Sequence, residues 1–333
     1  AIWFDDAAEK MGVDVMRWMY ASQNTENNLL FGYFVADEMR KHLITLWNTY
    51  SFFVTYANLD GFQPSTNVDI DTLTKSDRWI LSKINKFIES SKKYYETYQP
   101  YHLIAEANQL LDHLSNWYVR RNRRRFWKSE NDSDKSAAYF TLYTTLIHFV
   151  KVMAPIIPFI SEKIYLNLVS SLNEKAEGSV HLCDFPVSDL AFIDESILNE
   201  VDTIIQIVSL SRSARNKANI KVRQPLSELI LYADKSIQKI ALNNQDEILE
   251  ELNIKSLKII ENESDIIQYS IKLNYQLLGQ KYGNEINKIT KFINKMEQKE
   301  VIKLIRNDKP LQVMEDGNEF EVLPSEIILE EVP

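Results

Sequence analysis

The chain has 333 residues and a formal net charge of −9, a length that suggests two or three domains. Its apolar share of 45% and charged share of 26% suit a soluble globular protein, and no run approaches the roughly 20 apolar residues of a membrane span. A single cysteine, Cys183, makes neither an intrachain disulfide nor a zinc cluster, and seven scattered glycines, of which Gly279 and Gly283 are the closest pair, fit neither a dinucleotide fingerprint nor a P-loop.

The opening AIWFDDAAEK has no basic start and no apolar centre, so it is not a signal peptide. It does not begin with Met, and the chain reads as a fragment of something longer. The pattern predicts helices over 13–22 and 34–57, the second rich in aromatics: Trp47, Tyr50, Phe52, Phe53 and Tyr56. These aromatics read as core. DGFQPSTNVD, with Gly61 and Pro64, breaks the helical pattern. Thr74 and Asp77 then form a capping-box-like start to a helix whose apolar stripe is Ile80, Ile84, Phe87 and Ile88. Pro100 opens a second helix with Leu103, Ala107, Leu111, Leu114 and Tyr118 on its buried face. The polar KSENDSDK reads as a loop, a third helix runs over about 136–153, and Pro155 and Pro158 separate it from a fourth reaching about Leu172. Four helices with short joins predict a bundle. Beyond EGSVHLCDFP the pattern becomes α+β: a long helix over about 195–219, the alternating LSELILYA, a helix near 236–251, the strand SLKIIE, a helix over about 284–298, and a hairpin around Asp316-Gly317. The predicted fold is mainly α, in three segments: a helical linking segment (1–65), a helical bundle (66–192) and an α+β extension (193–333).

Charge is distributed along the same divisions. Residues 1–65 carry −4 and residues 193–333 carry −6, whereas residues 66–192 carry +1. The excess lies in NWYVRRNRRRFWK, where Arg120, Arg121, Arg123, Arg124, Arg125 and Lys128 are set among Trp117, Tyr118, Phe126 and Trp127. At about 100° per helical residue the five arginines cover an arc of roughly 200°, too wide for one stripe. Arg does not shed its charge, so the cluster is solvated, ion-paired or facing an anion. A solvated helix end in a favourable macrodipole is one reading; a polyanion is the other, and interleaved aromatics suit RNA, whose splayed bases stack on rings. Trp117 and Tyr118 continue the apolar face and read as core. A weaker basic patch holds Arg212, Arg215 and Lys217, with Lys221 and Arg223 just beyond; here an exposed helix with acidic neighbours is as good a reading as nucleic-acid contact. His42, His102, His113, His148 and His181 form no metal motif, and Asp5 and Asp6 read as solvated.

These segments together resemble the C-terminal half of the isoleucyl-tRNA synthetases, a family of class I aminoacyl-tRNA synthetases. GVDVMRWMYASQ resembles the family's segment just after the catalytic domain, and LITLWNTYSFFVTYANLDGF its link to the anticodon-binding domain. SDRWILSKINKFI, LSNWYVRRNRRRFW and MAPIIPFISEKIY resemble that helical domain, and NKANIKVRQPLSEL the segment beyond it. The valyl and leucyl families share the Trp-Ile-Leu and Met-Ala-Pro themes; the Asn-Leu-Asp-Gly-Phe end and the arginine run favour the isoleucyl family.

The resemblance implies an ATP- and magnesium-dependent ligase that charges tRNA with isoleucine and hydrolyses misloaded valine, because one methylene discriminates too weakly. The signature motifs His-x-Gly-His and Lys-Met-Ser-Lys-Ser are absent, so this piece is expected to bind the anticodon stem-loop without catalytic residues or a cofactor of its own. The Cys-rich zinc module of many bacterial members is missing too; SIKLNYQLLGQKYG onward resembles the longer extension of the eukaryote-like branch. The expected partner is the tRNA for isoleucine, the expected state a cytoplasmic monomer, and the expected contacts Arg120, Arg121, Arg123, Arg124, Arg125, Lys128, Arg212, Arg215, Lys217 and Arg223. The competing expectations are the same region of a valyl- or leucyl-type synthetase and a free-standing helical scaffold that binds proteins.

Overall fold

The computed structural model describes residues 2–24, 26–64, 70–127, 132–261, 268–315 and 318–332. It divides into two compact units, 1–202 and 203–333. The fold is mainly helical, and among the described residues the small sheets lie in the second unit.

In the first unit, α1 (Phe4–Met11), α2 (Val13–Ala21) and α3 (Tyr33–Asp60) precede the bundle. The sequence pattern did not reveal α1. Gly61, at φ 64°, ends α3 in the left-handed conformation that glycine adopts without strain. α4 (Lys75–Glu96) starts at a true capping box: the Thr74 hydroxyl accepts from the Asp77 N–H, and the Asp77 carboxylate accepts from the Thr74 N–H. α5 (Pro100–Asp112) has proline in its first turn and runs through a π-helical stretch, His113–Val119, into α6 (Arg120–Trp127). α7 (Asp132–Met153) begins four residues earlier than the pattern predicts, and α8 (Pro158–Tyr165) passes into a second π-helical stretch, Leu166–Ser170.

The predicted stripes form the core. Ile80, Ile84, Phe87 and Ile88 of α4 and Leu103, Ala107, Leu111, Leu114 and Tyr118 of the α5–α6 helix are all buried. α4 packs on both α5 and α7, and α3 packs on α5 and α7. The α3 aromatics are only partly core: Tyr50 and Phe53 are buried, but Trp47 is 40% exposed. α2 is pinned to the bundle by two polar side chains. Asp14 accepts from the N–H groups of Phe159 (3.4 Å) and Ile160 (2.7 Å), supplying from a distance the cap that α8 lacks locally. Arg17 donates to the carbonyls of Pro155 and Ile156 at 2.6 and 2.9 Å.

α9 (Glu195–Lys217) carries the boundary between the units. In the second unit, β1 (Leu226–Leu231) pairs in parallel with β2 (Ile254–Ile259), as a strand–helix–strand crossover requires. The single helix predicted between them is two, α10 (Lys235–Asn243) and α11 (Gln245–Leu252), because Asn244 leaves the helical region at φ −121°, ψ 25°. Beyond them lie β3 (Gln268–Leu273), α12 (Tyr275–Tyr282), α13 (Ile286–Lys295), α14 (Gln298–Arg306), β4 (Leu311–Glu315), β5 (Asn318–Val322) and β6 (Ile327–Val332). β3 pairs with β6 and β4 with β5, both antiparallel. The predicted turn residues Asp316 and Gly317 lie outside the described residues, but the strands flanking them pair in hairpin register, Glu315 opposite Asn318. β3, β6, α12 and α14 went unread in the sequence. A core of Leu278, Ile289, Ile293, Val313, Phe320 and Val322 holds this part together.

Candidate nucleic-acid interface

The arginine helix is fixed by the residues between its arginines. Asn122, the one break in the run, is buried; its amide donates to the Tyr118 carbonyl (2.8 Å) and to the Ser76 hydroxyl (2.9 Å). Phe126 is buried against Phe52 of α3 and Tyr139 of α7, at ring-centroid distances of 5.2 and 5.0 Å. Leu114, Tyr118, Asn122 and Phe126 thus make a buried row at a spacing of four. That spacing is present in the sequence, where the charges on either side mask the place of Asn122 in the row.

Arg125 belongs to this inward side. Its guanidinium grips both oxygens of Asp77 at 2.8 Å and pairs with Asp134 at 2.8 Å. Asp77 is fully buried and also accepts from the Tyr118 hydroxyl at 2.6 Å. Burial works against the Arg125 charge, but the Asp77 carboxylate outweighs it and raises the group above the ordinary arginine range. Burial, with the Asp77 charge beside it, also pushes the Tyr118 phenol well up, so it stays a donor. The residue read from the sequence only as a helix cap is therefore also the counter-ion that seats the arginine helix on α4.

Three of the remaining arginines point outward. Arg120, Arg123, Arg124 and Trp127 are exposed, and at about 100° per residue they share an arc of roughly 100°. Arg120 donates to the Asn116 carbonyl of its own helix at 2.8 Å. Arg121, half-buried on the flank, lies over the Trp117 ring at 4.8 Å from its centroid. Arg123 and Arg124 have no ion-pair partner among the described residues. Trp127 is 55% exposed, with one edge against Tyr56. Trp117 and Tyr118 are core, as their place on the apolar face predicts. Lys128 lies outside the described residues.

The second basic patch divides similarly. Arg212 is half-buried and pairs with Glu251 at 2.8 Å. Arg215 is buried to 3% exposure and bonds only to backbone carbonyls, so it offers no surface charge. Lys217, Lys221 and Arg223 are exposed. The expected contacts Arg125 and Arg215 are thus internal, with their terminal guanidinium nitrogens committed to protein acceptors.

Among the described residues no group of three or more His, Cys, Asp or Glu is arranged to hold a metal ion, and no helix is long and apolar enough to cross a membrane. His113 is buried beside Trp79 and His148 is largely buried; burial lowers both, His148 to about 4.

A surface of outward arginines and one exposed tryptophan, on a helix locked into a bundle, can hold phosphates and stack a base. Residues 77–230 match the family model described as the anticodon-binding domain of tRNA ligase. Over most of its length the chain is similar to isoleucine--tRNA ligases: 41% identical over 320 residues to that of Clostridium novyi (strain NT), covering 94% of this chain and 30% of the relative. The similarity to the enzyme of Thermus thermophilus is 37% over 333 residues (98% of this chain, 31% of the relative), and to that of Dehalococcoides mccartyi (strain CBDB1) 44% over 252 residues (75% and 25%). The chain thus spans about 30% of the length of the first of these curated relatives.

Proposed function

We propose that this chain is the tRNA-recognising portion of an isoleucine--tRNA ligase and binds the anticodon stem-loop of the tRNA for isoleucine. The observation that carries the reading is the outward arc of Arg120, Arg123, Arg124 and Trp127 within the residues matched to the anticodon-binding family. In this reading residues 1–65 link to a catalytic domain, 66–192 form the anticodon-binding bundle, and 193–333 are an extension. Phosphate contacts from the arginines position the RNA, and Trp127 offers a ring to an unstacked base. Arg121 is a weaker candidate contact and Lys128 a further one, while Arg125 supports the helix from within. ATP, magnesium and isoleucine belong to the rest of the enzyme; this portion acts by binding, needs no zinc, and works as a cytoplasmic monomer.

The test is tRNA binding across a salt series. Each phosphate contact adds about 0.7–0.9 to the slope of log affinity against log salt. The double change Arg123→Gln/Arg124→Gln is expected to flatten that slope by about 1.4–1.8 on the same scale, without lowering the melting temperature. Unchanged binding by that variant at low and high salt overturns the reading and leaves a solvated helix end. If the parent binds acidic proteins but not tRNA, the scaffold reading takes its place.

A further inference from the structure

Arg215 presents an unusual arrangement for a buried cation. Its guanidinium donates to the carbonyls of Lys221 (3.1 Å), Gln224 (2.9 Å), Leu252 (2.7 Å) and Asn253 (3.4 Å), and no carboxylate among the described residues pairs with it. Burying a charge is costly unless partners compensate. Here the compensation is entirely backbone, and its structural product is the shape of one loop.

That loop is specified residue by residue. α9 ends in a Schellman arrangement: Asn219 takes the left-handed conformation at φ 55°, Ile220 N–H donates to the Arg215 carbonyl, and Asn219 N–H donates to the Asn216 carbonyl. Gln224 N–H closes a turn onto the Lys221 carbonyl at 3.0 Å. Asn253, also left-handed at φ 53°, donates its side-chain amide to the Arg223 carbonyl at 2.9 Å. The carbonyls of Lys221, Arg223 and Gln224 therefore all accept hydrogen bonds from within the unit. The side chains of Lys217, Lys221 and Arg223 remain exposed and have no ion-pair partner among the described residues. Three such cations within seven residues stand out in a segment, 193–333, whose net charge is −6. The family match also runs through this loop.

We propose that residues 217–223 form a second phosphate-backbone contact for the tRNA, separate from the arginine helix, and that Arg215 is its positioning residue. The inference rests on the tRNA reading above. A loop already folded into its binding shape loses little conformational entropy when it meets RNA, and point charges on such a loop read backbone, not base. Arg215 touches no RNA; it acts by holding the carbonyls inward so that Lys217, Lys221 and Arg223 face out.

The experiment uses the whole chain and an isoleucine tRNA transcript in the same salt series. Lys217→Gln/Lys221→Gln/Arg223→Gln, all surface changes, is expected to keep the parent's melting temperature and to flatten the slope by about 2–3. Arg215→Lys keeps the charge but loses the planar fork; amides of 218–224 should exchange faster and affinity should fall severalfold. In the Arg215→Lys background the triple change should then cost less than it does in the parent, a coupling that general destabilisation does not produce. If the triple variant keeps the parent's slope while Arg123→Gln/Arg124→Gln flattens it, the loop proposal is overturned and the tRNA reading stands. Full additivity of Arg215→Lys with the triple change overturns the positioning role. If neither the loop nor the helix variants alter the slope, both proposals fall together.

Discussion

Arg123 and Arg125 are two residues apart and have the same side chain, yet only Arg125 is fastened to Asp77. Breaking a buried pair by neutralising one partner leaves a charge uncompensated, at a cost of about 3–5 kcal/mol. Asp77→Asn should therefore destabilise the first unit by that order, measured by urea unfolding, and should weaken tRNA binding only as far as the helix loosens. A loss under about 1 kcal/mol, below the range for a broken buried pair, would show that the Asp134 pair alone compensates Arg125. His148 supplies a prediction about pH. Burial pushes its folded value down to about 4, while in the unfolded chain it titrates near 6.5. The unfolded state binds the proton more tightly. The contribution of His148 to stability is thus fully present above about pH 6.5 and is lost as pH falls towards 4, by about 3 kcal/mol at most. Burial lowers His113 and His42 in the same direction. Unfolding free energies at pH 7 and pH 4.5 should differ by less in His148→Phe than in the parent, provided the variant still folds.

At the scale of elements, helix ends and helix faces explain most of the arrangement. α8 begins at Pro158 with no cap of its own, and Asp14 of α2 supplies two acceptors instead. Desolvation raises the Asp14 carboxyl, and the two amides partly offset it. Asp14→Ala should cost about 1–2 kcal/mol, the usual size for a lost cap, and thermal unfolding should report it. A change below about 0.5 kcal/mol, the scale of an ordinary surface substitution, would mean water caps α8 equally well. On α6 the exposed face is functional surface in our reading. Trp127→Ala should leave stability within about 0.5 kcal/mol and should weaken RNA binding by about 1–3 kcal/mol, the range for one stacked base. Equal tRNA affinity for Trp127→Ala and parent would assign the ring to packing on Tyr56. The π-helical stretch just before α6 is the kind of feature that often marks a functional site.

For the whole molecule, the expected division of labour is binding here and chemistry elsewhere. The chain spans about 30% of its first relative, and neither signature motif occurs in it. Purified alone, it should bind tRNA yet show no isoleucine-dependent ATP–pyrophosphate exchange. Exchange above background would mean that residues 1–333 hold an activation site of another design.

The mainly helical fold, the bundle and its buried stripes were legible in the sequence, because helical periodicity and caps are local properties. As helix-starting residues, Thr74, Asp77, Pro100 and Pro158 each act within one turn of where they stand, and the apolar spacing of α4 and α5 needs no distant partner to be read. The parallel strands β1 and β2 were legible as strands. β3 and β6 were not, since each is stabilised by a partner nearly sixty residues away. α1 is short, and the break at Asn244 is a single backbone choice. The arginine run was legible as a concentration of charge but not as a geometry. Which arginine turns inward was decided by Asp77 on another helix and by Phe52 and Tyr139 on two more. In the second patch, Arg215 was withdrawn from the surface by carbonyls of residues 221 to 253. Charge is written in the chain one residue at a time. Whether a charge faces solvent or a buried acceptor depends on groups far along the chain, and only the tertiary structure brings them together.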